Sequence, residues 1–382
     1  MEDKLTGFDK KKAIIFSILC IILSRLLIFG IYYIQYKDVG TFSEMLQFGD
    51  ASRYVEIMQS GYSGITDSDG LSSYAFFPLY PLLFKIIHII IPINPYILAF
   101  FVSSIITGIA LYVSFKYLYI TRKSNTYGIL FAILMSFGAY TIYNSLFYTE
   151  SLFFLLLVLG LYFLEDKKYI KAGVCGAFLS ATKLVGSLFV FAIIAKYVVE
   201  FMKDKKINKN TIRELIINAL KDERFLIAVF IVPLGLLIHM FYLYRIVGDP
   251  FAFIRSHKAW GRKVDSLGLP HIAYSLFNYK YNTKEFAFAV LNVFCIFLTA
   301  MSMEKYKPVE CVMCFLFTFT ILAQGELYSI GRFIAGLVVY MFTLNDLLVK
   351  SIKPVKIIGT LVWIGIGIYG IILVFEKSWS MF

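Results

Sequence analysis

The stretch Ala13–Ile34, AIIFSILCIILSRLLIFGIYYI, decides the fold, because it runs for 22 residues with Arg25 as its one charge. A helix of about 20 apolar residues crosses the ~30 Å hydrocarbon core of a bilayer, so this run reads as a membrane span. Lys10, Lys11 and Lys12 precede it like the start of a secretory signal. The run is too long for one and lacks a small-residue cleavage site, which makes it an uncleaved first span. Similar apolar segments follow at about 96–118, 126–143, 150–164, 169–182, 184–201, 225–246, 286–303, 308–323, 332–349 and 355–376, for about eleven spans in all.

Composition excludes the other solvents and folds. Over 382 residues, 59% are apolar and only 16% charged, too little polar surface to clothe a water-soluble globule of this size. Lipid offers no partner to open sheet edges, and the apolar runs far exceed the alternating strands of an outer-membrane barrel, so helices remain. The net charge of +12 comes from Lys and Arg in short clusters between apolar runs, which argues against nucleic acid. With the N-terminus inside, Lys116/Arg122/Lys123, Lys167/Lys168/Lys171, segment 202–224, Lys305/Lys307 and Lys350/Lys353/Lys356 all fall on the cytoplasmic side, as positive-inside topology requires. Five cysteines lie inside apolar runs, and Cys311–Cys314 reads as buried small hydrophobes rather than a metal or redox pair.

The chain is therefore expected to be a single transmembrane domain, 1–382, with a first extracytoplasmic loop at 35–95 and a second large one at 247–284. Ala51–Ser60 and Leu79–Ile91 are too short to span and should lie along or dip into the outer interface. Segment 202–224 is charge-rich and amphipathic, and reads as a solvated cytoplasmic connector.

The polar residues stand mainly on the outer side. Asp50 opens the interfacial helix at 51–60, where its carboxylate is either an N-cap or a general base. Pro78 and Pro81 stiffen the entry to the next helix, and aromatic residues crowd it like the wall of a cleft. Glu150 heads a span, where helix-dipole stabilisation and function both account for a carboxylate. Lys183 and Arg332 are cations on the side that positive-inside topology disfavours, explained by snorkelling or by an anionic partner. Arg255, His257, Lys258, Trp260, Arg262 and Lys263 follow the turn Gly248-Asp249-Pro250, and suit phosphate or lipid headgroups.

These segments carry a resemblance. Asp50-Ala51-Ser52-Arg53-Tyr54 with Gly61-Tyr62, Ala75-Phe76-Phe77-Pro78-Leu79-Tyr80-Pro81 and Tyr148-Thr149-Glu150-Ser151-Leu152-Phe153 occur in the order found in integral-membrane mannosyltransferases of the GT-C class. The pattern resembles the PIG-V-like family, the second GPI mannosyltransferase and its bacterial relatives. Weaker similarities are Ala181-Thr182-Lys183 with Gly186, Gly248-Asp249-Pro250 with Trp260-Gly261-Arg262, and Ser329 with Arg332-Phe333. Gly49, Ala51, Lys183 and Phe333 depart from the family's usual Trp, Gly, Arg and Tyr.

The resemblance implies an all-α GT-C fold in the plasma membrane, with an extracytoplasmic site that moves a hexose, mannose by family, from a polyprenyl-phosphate donor to an acceptor hydroxyl with inversion. The acceptor would be a glycan, lipid or protein. Asp50 would be the base, and Arg332, Lys183, Arg255, His257, Lys258 and Arg262 would hold the donor phosphate. Glu150, Tyr54, Tyr80 and Trp260 would meet the sugar or acceptor. No cofactor is required; a divalent cation is compatible with this chemistry, but Asp67-Ser68-Asp69 is a weak candidate for it in a Gly/Ser-rich turn. A secondary transporter or lipid-linked-glycan flippase is the rival class, and would place paired charges near mid-membrane, where only Arg25 stands.

Overall fold

A computed structural model describes residues 5–62, 73–259, 269–277, 283–303, 307–323 and 338–377. Among these residues every regular element is helical. The first half comprises α1 (Lys10–Ile31), α2 (Phe42–Met45), α3 (Ala51–Ser60), α4 (Leu79–Ile90), α5 (Pro95–Arg122), α6 (Asn125–Phe137), α7 (Glu150–Glu165), α8 (Tyr169–Thr182) and α9 (Phe189–Met202). The second comprises α10 (Lys209–Lys221), α11 (Glu223–Ile231), α12 (Leu234–Val247), α13 (Ala252–Ala259), α14 (Leu269–Phe277), α15 (Thr283–Ser302), α16 (Pro308–Leu322), α17 (Val339–Lys350) and α18 (Lys353–Phe375).

Five stretches are long and apolar enough to cross a bilayer by length and composition: Lys10–Tyr36, Pro95–Arg122, Leu184–Met202, Glu223–Val247 and Lys353–Phe375. The other expected spans fall on further helices of the bundle, and the start of 332–349 lies outside the described residues. Exposed Ile and Leu along α1 and α18 face outward as a lipid-facing surface must. The core lies around α5, which packs against α1, α6 and α7 and buries most of its length.

Two expected spans are interrupted, each for a local reason. The span at 126–143 ends as a helix at Phe137, after which Gly138 turns extended, Tyr140 adopts φ 62°, and Thr141–Asn144 form a buried 3₁₀ turn. A Cβ at Gly138 would overlap the Trp363 indole, and one at Gly367 would strike the backbone of Phe137 and Gly138, so α18 meets this chain reversal backbone to backbone. The span at 225–246 breaks between α11 and α12 because Pro233 lacks an N–H and cannot continue the helical ladder. Ser180 of α8 accommodates the break: its hydroxyl is 2.7 Å from the Val232 carbonyl and 3.3 Å from the Leu236 N–H. Such side-chain repair of backbone groups is what lets a proline persist inside a span.

At the C-terminal end of α5, Arg122 is not the exposed topology charge expected of it. Its side chain is 3% exposed and forms a bidentate pair with Glu310 of α16, at 2.5 and 2.6 Å, and bonds to Asp346 of α17 at 3.0 and 3.2 Å. Lys307 also reaches Asp346, and the Tyr117 hydroxyl donates to Glu310 at 2.6 Å. Three helices are thereby tied by one buried ionic network.

Candidate functional site

The site grows from the turn before α3. Gly49 has φ +52°, a left-handed conformation that glycine adopts at little cost, and it reverses the chain between Phe48 and Asp50. Tyr148, at the end of the Tyr143–Tyr148 stretch, closes this turn from the far side of the sequence. Its hydroxyl donates to the Phe48 carbonyl at 3.0 Å and accepts from the Asp50 N–H at 2.8 Å. The Asp50 side chain makes no capping bond to α3, so the carboxylate is not committed to the helix start. It stands half-exposed at the edge of the protein interior.

An aromatic framework sets the depth of this turn. The Tyr54 ring lies 5.0 Å from Phe76, 6.0 Å from Tyr80 and 6.2 Å from Tyr148, mostly edge-on, the favoured geometry of aromatic pairs. The Tyr80 hydroxyl is 2.8 Å from that of Ser103 and donates to the Leu146 carbonyl at 3.4 Å. Burial pushes the Tyr80 phenol well above its ordinary pKa, so it stays protonated and keeps both contacts. Tyr54 and Tyr80 are expected from the sequence to touch sugar or acceptor. In the structure Tyr80 is wholly buried and Tyr54 nearly so, and both brace the segments around the Asp50 turn.

The structure brings Glu150 and Lys183 together. They are expected to bind sugar and phosphate separately, but Lys183 Nζ lies 2.8 Å from Glu150 Oε1, with side chains 12% and 1% exposed. The ammonium also sits 5.6 Å above the Phe153 ring. Each neutralises the other where a lone buried charge is costly. We expect Glu150→Gln and Lys183→Met to be non-additive in detergent unfolding, with a coupling of about 2 kcal/mol. Additive losses would show that the ion pair does not form.

Arg255, of the expected phosphate set, is placed against an acid of its own loop. It is exposed and bonded to Asp249 within its own loop. His257 and Lys258 lie on α13, while Trp260, Arg262, Lys263, Arg332, Phe333, Ser329, Asp67 and Asp69 lie outside the described residues. The loop itself does reach the first one: Phe253 of α13 packs 5.7 Å from Phe77, and both rings flank the fully buried His239, at 6.1 and 4.7 Å. Tyr62 completes this junction, 5.8 Å from His239, with its hydroxyl donating to the Phe76 carbonyl at 2.7 Å. Burial raises the Tyr62 phenol well above its usual range and keeps that donor protonated. Among the described residues no group of three or more His, Cys, Asp or Glu could hold a metal ion.

Two contributors lacked a role in the sequence reading. Tyr148 belongs to a recognised segment, yet nothing local indicates that its hydroxyl serves Asp50, 98 residues earlier. Arg25, conspicuous as an intramembrane charge, bonds to Ser104 Oγ at 2.6 Å, Ser24 Oγ at 3.3 Å and the Asn144 carbonyl at 3.2 Å. It thus supports the end of the 3₁₀ turn that leads to Tyr148.

Described elements that are all helical, with five stretches long and apolar enough to cross a bilayer, make this an all-α membrane fold of the GT-C type. Two solved structures of the Archaeoglobus fulgidus oligosaccharyltransferase share it, one in the apo form and one, of AglB, in complex with an inhibitory peptide and a dolichol-phosphate. Each aligns over 95% of this chain with a TM-score of 0.51 at 12% identity. The chain spans 56% of the length of those proteins. No family model matches the sequence, and no curated protein is significantly similar to it.

Proposed function

We propose that this protein is an inverting glycosyltransferase that moves a hexose, mannose by the resemblance of its motifs, from a polyprenyl-phosphate donor to an acceptor hydroxyl at the outer face of the membrane. The observation that carries this reading is the Tyr148 hydroxyl, which joins the Asp50 turn to the Tyr148–Phe153 segment through the Phe48 carbonyl and the Asp50 N–H. Two sequence segments that resemble one enzyme family thereby meet at the residue suited to be its base.

In this reaction the Asp50 carboxylate takes the acceptor's hydroxyl proton as the oxygen forms its bond to the anomeric carbon. The bond from that carbon to the phosphate oxygen breaks on the opposite face, and its electrons leave with the lipid phosphate. Cations of the second outer loop and Arg332 are the candidates to stabilise that charge. Lys183 pairs with Glu150, so part of its charge is already neutralised. The lipid donor explains why a membrane-embedded bundle serves the chemistry. The dolichol-phosphate found with AglB shows that a protein of this fold meets such lipids, and here it supports a donor of that class.

Proteoliposomes holding the purified protein and radiolabelled polyprenyl-phosphate mannose are expected to release polyprenyl phosphate and label an acceptor. Movement of the intact donor between leaflets without cleavage would overturn the reading in favour of a flippase. Tyr148→Phe should lower kcat severalfold and cost about 2 kcal/mol of stability, because it strands the Asp50 N–H and the Phe48 carbonyl. An unchanged kcat in that variant would remove the clamp from the mechanism.

A further inference from the structure

The cytoplasmic helix α10 does not have the surface of a solvated connector. Its apolar residues Ile212, Leu215, Ile216, Ala219 and Leu220 recur at the spacing of one helical face. Leu215 and Ala219 are half-buried on the side that meets α9 and α11. Ile212, Ile216 and Leu220 are left 46%, 54% and 66% exposed, and Ile217 adds 40%. Such a stripe facing water would be unfavourable by roughly 25 cal/mol for each Å² of apolar surface.

What lies beside that stripe is set by the neighbours. The span carrying α9 ends at Met202, six residues before the Asn208 cap of α10, and the next span starts with α11 at Glu223, one residue beyond the closing Asp222. The helix is thus held at the level where two spans leave the bilayer. Segment 203–224 carries seven Lys or Arg against four Asp or Glu, a cationic excess on the side where positive-inside topology places it. Lys206, Lys209 and Arg213 are exposed around the start of the helix, where lipid phosphates can reach them.

We propose that α10 lies in the headgroup region of the inner leaflet, with Ile212, Ile216 and Leu220 inserted among acyl chains and its basic residues bound to anionic phospholipid. Apolar insertion and electrostatic attraction add in such helices, so the docking is selective for negatively charged lipid. This surface is independent of the sugar-transfer reading.

The test uses the full-length protein with Ile216→Trp, reconstituted in phosphatidylcholine or in an equimolar mixture with phosphatidylglycerol, with and without brominated acyl chains. The difference spectrum against the wild type is expected to be blue-shifted and quenched by bromine, more strongly in the mixed lipid. Lys206→Glu with Lys209→Glu should reduce the mixed-lipid quenching to the phosphatidylcholine level. Both changes are on exposed residues, and a glutamate in the first turn favours the helix, so folding is preserved. A water-like, unquenched signal in both lipids would overturn the proposal. Equal quenching in the two lipids, or burial of the residue only on adding a cytosolic protein fraction, would overturn it as well.

Discussion

Replacing Asp50 by asparagine is expected to lower the rate of sugar transfer by about a hundredfold or more, the usual effect of removing a general base. The substitution keeps the size and shape of the side chain while removing its negative charge and its capacity to take a proton. Folding should be preserved, because the Asp50 carboxylate does not cap α3 and the Tyr148 contact runs through the Asp50 main chain. The informative measurement is therefore kcat beside a thermal unfolding midpoint. A variant that unfolds like the wild type and transfers sugar at nearly its rate would sink the assignment of Asp50 as base. Asp50→Glu offers a second check, since it keeps the charge while lengthening the arm beyond what the turn at Gly49 places.

The largest loss of stability is expected at the other end of the molecule. Arg122→Leu leaves Glu310 and Asp346 with Lys307 as the remaining cation of the network, and breaking a buried ionic pair by removing one partner costs about 3–5 kcal/mol. Replacing Arg122, Glu310, Asp346 and Lys307 together by apolar residues should restore much of that loss, because no uncompensated charge remains. Unfolding in mixed micelles checks both. If Arg122→Leu is as stable as the wild type, α5, α16 and α17 are held by apolar packing, and the network has no structural part.

Periodicity and length located most of the helices and the bounds of α3 and, to within one residue, α4, because helices in lipid must satisfy their own backbone groups and so announce themselves as long apolar runs. Pairing was hidden. Glu150 and Lys183 each stood out as a charge in an awkward place, but only the fold brings residues 33 apart into contact and turns two separate candidates into one ion pair. Arg122 looked like a topology signal for the same reason, since Glu310 and Asp346 are 188 and 224 residues away. The early end of α6 was equally invisible locally, for Gly138 reads as an ordinary helix glycine until the Trp363 ring and the Gly367 backbone are placed against it. Of the expected site, Asp50, Tyr54, Tyr80, Glu150 and Lys183 are joined through the first loop, α4 and the head of α7. Arg255 is turned to a partner of its own.

The Tyr148 hydroxyl has a mechanical consequence. The turn that carries Asp50 is fastened to the head of α7, and Glu150, anchored to Lys183, follows two residues later. The head of α7 thus holds the Asp50 turn on one side and the Glu150–Lys183 pair on the other. A tilt of that helix would therefore carry the Asp50 turn and the ion pair with it.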